Sequence, residues 1–160
     1  MDPQVAHSIS LRIPHLPIRM KEHAPRAFVF AQRLHELGLD VTYPGLESHP
    51  DHALFKEIGR PEYGFGGLLT INAGTAKCAE ALMEDLQNKE GFGFMAVSLG
   101  YFDTLMSCSA SSTSSEMSDD ARREAGIAPG LLRMSVGFTG SLEQRWDQLE
   151  RALKRVGLIK

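Results

Sequence analysis

The chain has 160 residues, 42% hydrophobic and 23% charged, with a formal net charge of −3. This is the balance of one globular domain with a real core, and it excludes a disordered or fibrous chain. An acidic balance also argues against nucleic acid as a partner, because phosphate binding needs clustered cations. A small anion held by one Arg stays open. Two cysteines cannot build a disulfide framework, and no apolar run approaches the ~20 residues of a membrane helix. Met1-Asp2-Pro3-Gln4 lacks the cationic and apolar regions of a secretory signal, so the expectation is a cytoplasmic protein with no membrane partner.

Residues 3–37 read as helical. Val5, Ile9 and Leu11–Ile13 give an apolar face, and Pro14 and Pro17 interrupt it. Met20, Ala24, Ala27, Ala31, Leu34 and Leu37 then form a second stripe that stops at Gly38. Pro25 falls inside this pattern, which predicts a kink or a regular helix beginning near Ala24. Leu39–Tyr43 alternates as a short strand before the Pro44-Gly45 turn. Residues 46–67 are polar and rich in Gly, Pro and His, with a helical turn possible at Asp51–Ile58. Leu68–Asn72 is a strand. Thr75 caps a helix running to about Asn88, with Ala79, Leu82, Met83 and Leu86 inward.

Phe92–Leu99 and Thr104–Cys108 are strand candidates, and the Ser-rich run 107–118 reads as a loop. Ser118 caps a short helix. Leu131–Val136 is a strand, and a last helix begins near Ser141, where Ser141 and Gln144 form a capping box and Leu142, Trp146, Leu149 and Leu153 the buried stripe. The fold class is α/β, an α+β sandwich with four or five short strands and helices packed on the sheet.

Candidate chemistry is sparse. His49, Asp51 and His52 lie close together, but the ligand spacing of a zinc site is missing, so the imidazoles are read as bonding nearby carbonyls in a turn set by Pro50. Gly64-Phe65-Gly66-Gly67 leads into a strand rather than a helix, so it is read as backbone freedom at a sheet edge or close packing and not as a phosphate loop. Cys78 is read as an inert thiol, and no nucleophile-elbow motif marks a hydrolase. Arg133 is more informative. It sits between apolar neighbours on a strand expected to be central, where a guanidinium needs a carboxylate, either from a cross-sheet Asp or Glu or from a ligand. Ser98-Leu99-Gly100 is the other polar break in an apolar strand. It could reach the same ligand or simply end the strand.

Four segments occur in order: Tyr43-Pro44-Gly45-Leu46-Glu47-Ser48-His49-Pro50-Asp51-His52, Gly66-Gly67, Ser98-Leu99-Gly100 and Gly130-Leu131-Leu132-Arg133-Met134-Ser135-Val136-Gly137. Together they resemble the C-terminal part of the Cys/Met-metabolism (trans-sulfuration) family of PLP-dependent enzymes. Arg19-Met20 with His23 fits that family's linking helix. Residues 92–101 and the Leu105-Met106-Ser107-Cys108-Ser109 run look most like plant-type methionine γ-lyases. The resemblance implies the small C-terminal domain of a fold-type I PLP enzyme, with a mostly antiparallel sheet after a long linking helix. It divides the chain into a linking segment, 1–38, and a small α/β domain, 39–160.

The resemblance further implies that Arg133 binds the substrate's α-carboxylate and that Ser98 and Leu99 line the same pocket. The family's cofactor lysine, phosphate-binding glycines and ring-stacking Tyr have no counterpart here, and Lys77 does not match that lysine. The family's usual His in the 107–118 loop is replaced by Ser-rich sequence, so no catalytic residue, cofactor-binding residue or metal ligand is assigned.

The expected function is that of one domain of a PLP-dependent sulfur-amino-acid lyase that cleaves a C–S bond to give a 2-oxo acid, ammonia and a thiol. Alone, this chain is expected to bind no PLP and to be inactive. The expected partners are an amino-acid substrate such as methionine and a large domain or full-length subunit. The alternatives are a non-catalytic binding or assembly module, or the same domain of a cystathionine γ-synthase or lyase.

Overall fold

A computed structural model describes residues 1–109, 112 and 116–160. The rest of the Ser-rich run 107–118 (residues 110, 111 and 113–115) lies outside the described residues. Helix α1 spans Pro3–Arg12, with Asp2 accepting bonds from the N–H groups of Gln4 and Val5. A single 3₁₀ turn at Ile13–His15 leads into α2, Leu16–Glu36. The late start near Ala24 is not what forms: α2 runs unbroken through Pro25 from Leu16. Proline's missing N–H removes one ladder bond, and burial of Ala24, Ala27, Phe30, Ala31 and Leu34 outweighs that loss. Gly38 at φ 83° then turns the chain.

Five strands follow in space as β1-β2-β5-β4-β3: β1 Asp40–Thr42, β2 Leu68–Asn72, β3 Gly93–Met95, β4 Thr104–Cys108 and β5 Leu131–Ser135. All pairings are antiparallel except β3 with β4, so the mostly antiparallel five-stranded sheet matches the expectation. The strand expected over 92–99 is shorter. β3 pairs only over Gly93–Met95; Ala96 still donates to the Met106 carbonyl (2.9 Å), and the chain then leaves the edge.

Between the strands lie α3 (His52–Ile58), α4 (Ala76–Asn88) and α5 (Asp119–Glu124), and α6 (Leu142–Arg155) follows the last strand. The expected caps are in place. Thr75 accepts from Cys78 N–H, Ser118 from Ala121 N–H and Ser141 from Gln144 N–H.

Alternation divides the sheet into two unlike faces. Leu69, Ile71, Met106, Leu132 and Met134 point into a core shared with Phe30 and Leu34 of α2, Leu82 and Leu86 of α4, and Leu149 and Leu153 of α6. The register places Leu68, Thr70, Leu105, Ser107, Arg133 and Ser135 together on the opposite face. That second face carries the polar groups.

His23 pins α2 to the end of β5. The ring is 4% exposed, its Nδ1 donates to the Val136 carbonyl at 2.6 Å, and it meets Phe138 edge-on. A carbonyl oxygen can only accept, which fixes the proton on Nδ1. Gly67 allows the close approach, since a Cβ there would sit 3.1 Å from that of His23.

At the far side, α4 and α6 are tied by charge. Asp85, 5% exposed, accepts from Arg155 and from Lys89 (2.6 Å), and Glu90 pairs with Arg151 (2.6 Å) and Arg155. Arg155's hydrogen bonds hold the Asp85 carboxyl below its ordinary value, and those of Arg151 do the same for Glu90.

Two outcomes are expected. A depressed folded-state pKa means that the Asp85 contribution is complete above the unfolded carboxylate value, about 4, and is lost as pH falls through the lower folded value. Thermal melts from pH 7 down to 2 should therefore show Asp85→Asn less stable than wild type at neutral pH, by on the order of 1–3 kcal/mol, with the gap closing in acid. His23→Phe, which leaves the Val136 carbonyl without its donor, should lower the unfolding free energy measured by urea titration by about 1–3 kcal/mol.

Candidate functional site

Arg133 lies at the middle of β5, the central strand, opposite Thr70 of β2 and Ser107 of β4. It is there because the Leu131–Ser135 alternation buries Leu132 and Met134 and turns Arg133 to the other face. The cross-sheet ion pair that composition alone favours is not formed. Among the described residues no Asp or Glu lies within 4.0 Å of this guanidinium, and its Nε is buried without a hydrogen-bond partner. Its Nη2 donates to the Ser98 carbonyl at 3.1 Å. Arg145 makes the contrast plain. It is 14% exposed, ion-paired to Asp103 at 3.3 Å and bonded to the Thr139, Gly91 and Phe92 carbonyls, so it is a saturated structural arginine.

The segment 96–103 folds back over the outer face and is held on β5 at two points. Ser98 accepts from Arg133, and Gly100 N–H donates to the Ser135 hydroxyl at 3.0 Å. Just beyond, Phe138 N–H donates to the Phe102 carbonyl at 2.8 Å. A Cβ on Gly137 would run into the Asp103 backbone, so glycine at 137 is what lets the two stretches lie this close.

Of the three residues picked from sequence, Arg133 and Ser98 meet, through the Ser98 carbonyl, while Leu99 lines a neighbouring cleft that Arg133 does not line. Ser98 contributes its carbonyl, its hydroxyl stays exposed, and Leu99 is 56% exposed. Leu99 forms one edge of an open cleft of about 400 Å³ with Met20, His23, Phe65, Leu68 and Ser135. The cleft has a mainly apolar lining without a charged side chain, and it adjoins the segment bonded to Arg133.

Sequence reasoning did not assign Ser135, Ser107 or the cleft wall from α2. Ser135 had a signal, since it is two residues from Arg133 on the same face. Ser107 had none, because its register against Arg133 is a tertiary fact. The SHPDH segment is structural: His52 Nδ1 bonds the Pro44 carbonyl at 2.8 Å and stacks on Phe65, while His49 Nδ1 accepts from Asp51 N–H at 3.1 Å. Among the described residues no three His, Cys, Asp or Glu side chains converge.

The resemblance to PLP enzymes can be tested on the lysines. Lys89 is ion-paired with Asp85, Lys154 with Glu150, and Lys21 lies over the Tyr63 ring. Neither these nor Lys56, Lys77 or Lys160 lies on β5, in the 98–100 segment or along the cleft. The described residues therefore do not fit PLP as a covalently held group, since such a site needs a lysine amine directed at it. What these residues can do is bind and orient a ligand, and no step through that cofactor is assigned to them.

Comparisons with known proteins agree on one lineage. The model of the family described as Cys/Met metabolism PLP-dependent enzyme matches residues 1–154. A methionine gamma-lyase of Arabidopsis thaliana is 56% identical over 98% of this chain and 35% of its own length. An L-methionine gamma-lyase of Fusobacterium nucleatum subsp. polymorphum is 32% identical over 98% of this chain and 38% of its own. Among solved structures, cystathionine gamma synthase of Xanthomonas oryzae in complex with cystathionine superposes with a TM-score of 0.77 at 32% identity, covering 90% of this chain and 36% of that one. The chain thus spans little more than a third of the length of the relatives it matches. With the sheet, the long N-terminal helix and the match over residues 1–154 in agreement, the chain belongs to the Cys/Met metabolism PLP-dependent enzyme family.

Proposed function

We propose that this chain is the substrate-carboxylate-holding domain of a PLP-dependent sulfur-amino-acid lyase of the methionine γ-lyase type, which cleaves a C–S bond to give a 2-oxo acid, ammonia and a thiol. In this reading residues 1–38 link and residues 39–160 form the small domain. Arg133 binds the α-carboxylate of methionine or a related amino acid. Ser98 holds the guanidinium, and Leu99 borders the substrate's side chain.

The single observation that supports this is the unpaired guanidinium of Arg133 on the central strand. The residue is half-buried, but its Nε is fully buried without a partner; leaving such a donor unpaired is costly, and a carboxylate is the partner its planar fork matches bidentately. The uncharged lining of the adjoining cleft suits an apolar thioether better than a second charged terminus.

The cofactor lysine belongs to residues other than these, so this chain alone binds no PLP and has no activity. Its partner is then the large domain or a full-length subunit. Exposed apolar side chains support that reading, both on the first two helices (Val5, Ile9, Leu11, Ile13, Leu16 and Ile18) and around the site (Phe94, Val97, Leu99, Tyr101 and Phe102). Cytoplasmic residence fits two cysteines that are not joined to each other. No described helix is long and apolar enough to cross a membrane.

Calorimetry of the 160-residue chain with L-methionine tests the central assignment. Wild type should bind, Arg133→Ala should lose at least tenfold in affinity, and Arg133→Lys should recover little, because it keeps the charge without the fork. Equal binding by wild type and Arg133→Ala contradicts the assignment. With PLP and L-methionine added, the chain should release no thiol, and turnover would overturn the division of labour.

A further inference from the structure

Ser107 and Arg133 share a feature that the site has so far left unexplained. They are direct cross-strand partners on β4 and β5, so their side chains leave the same face with Cβ atoms ~4.5–5.5 Å apart. Ser107 is 3% exposed, and its hydroxyl oxygen is buried without a hydrogen-bond partner. The Nε of Arg133 is likewise buried and unpartnered. One of these atoms is a donor only, and the other can accept. Two neighbouring buried polar groups, chemically complementary and both unsatisfied, are rare in a folded protein. Thr70, the other cross-strand neighbour of Arg133, shows no such buried orphan.

We propose that Ser107 is a positioning residue for the carboxylate site: when a carboxylate ligand binds, the hydroxyl of Ser107 accepts a hydrogen bond from Arg133 Nε–H. In this structure the guanidinium is drawn to the Ser98 carbonyl through Nη2 at 3.1 Å, and the Nε–H and the hydroxyl face no partner. Turning the side chain so that Nε–H meets Ser107 satisfies both orphans at once. It also directs the Nη1 and Nη2 end of the fork outward, where a carboxylate can take two parallel bonds. Ser107 touches no ligand in this arrangement; it sets the orientation of the group that does. The inference rests on the reading of Arg133 as the carboxylate site.

The test is binding of L-methionine to the 160-residue chain, measured for wild type, Ser107→Ala, Ser107→Thr and Arg133→Ala, with a thermal melt of each. Ser107→Ala removes an unsatisfied buried hydroxyl, so its melting temperature should be equal to or above that of wild type, while its affinity falls about tenfold. Ser107→Thr keeps the hydroxyl and should restore affinity to within about twofold of wild type. In ¹⁵N spectra, the Arg133 Nε–H signal should move on methionine addition in wild type and Ser107→Thr, but not in Ser107→Ala.

Unchanged affinity in Ser107→Ala, with Arg133→Ala still impaired, overturns the role of Ser107 and leaves the carboxylate site standing. No binding by wild type, or equal binding by Arg133→Ala, overturns both. Affinity lost in Ser107→Ala only together with stability, and not rescued by Ser107→Thr, assigns Ser107 to packing and also overturns the proposal. Should Ser107→Ala not fold, wild type and Ser107→Thr carry the test, and an Arg133 Nε–H signal unmoved by bound methionine in both overturns the proposal.

Discussion

A guanidinium on the central strand of a sheet, with no carboxylate to neutralise it, is the constraint from which the arrangement of this domain follows. Arg133 is half-buried and its Nε fully buried, and partly desolvating a cation without a counter-ion has a cost, so the surrounding structure must supply partial compensation and must be stable for other reasons. The Ser98 carbonyl supplies the first. The apolar face of the same sheet supplies the second. Leu132 and Met134 flank Arg133 in sequence, are fully buried, and pack with Phe30, Leu82 and Leu149 from three different helices. One strand therefore serves both purposes, because alternation sends successive side chains to opposite faces.

Holding the polar face in shape falls to short-range pins. Gly100 is bonded to Ser135, Phe138 to Phe102, and His23 to Val136, so the C-terminal end of β5, just beyond Arg133, is fixed to the 96–103 segment and to α2. Gly67 and Gly137 make these approaches possible by lacking a side chain. The ion-paired ends of α4 and α6 lie on the other side of the core, where charge contributes to stability without facing a ligand. Functional and structural arginines are thus separable by their partners: Arg145 and Arg155 are saturated, and Arg133 is not.

Much of this was legible in the residues. The amphipathic stripes of α4 and α6 and their Thr75 and Ser141 caps are local patterns, and they form where periodicity places them. Arg133 stood out because a charge between leucine and methionine on a strand calls for an explanation. What failed depended on distant contacts. Pro25 predicts a kink or a helix starting near Ala24, yet burial of the α2 stripe lets the helix run from Leu16 through that proline. The 92–99 strand is cut to three residues because β4 offers a parallel partner only over Gly93–Met95. Ser107 was one serine in a Ser-rich run, and only the β4–β5 register reveals that it sits opposite Arg133.

If Arg133 is kept unpaired for a carboxylate, changing the ligand rather than the protein tests that claim most directly. The Arg133 Nε–H signal of the 160-residue chain can be followed while L-methionine, or methioninol in which the carboxylate is replaced by a hydroxymethyl group, is added. A carboxylate-specific site predicts a saturable shift with methionine and none with methioninol at the same concentrations. Equal shifts with both, or none with either, would contradict it.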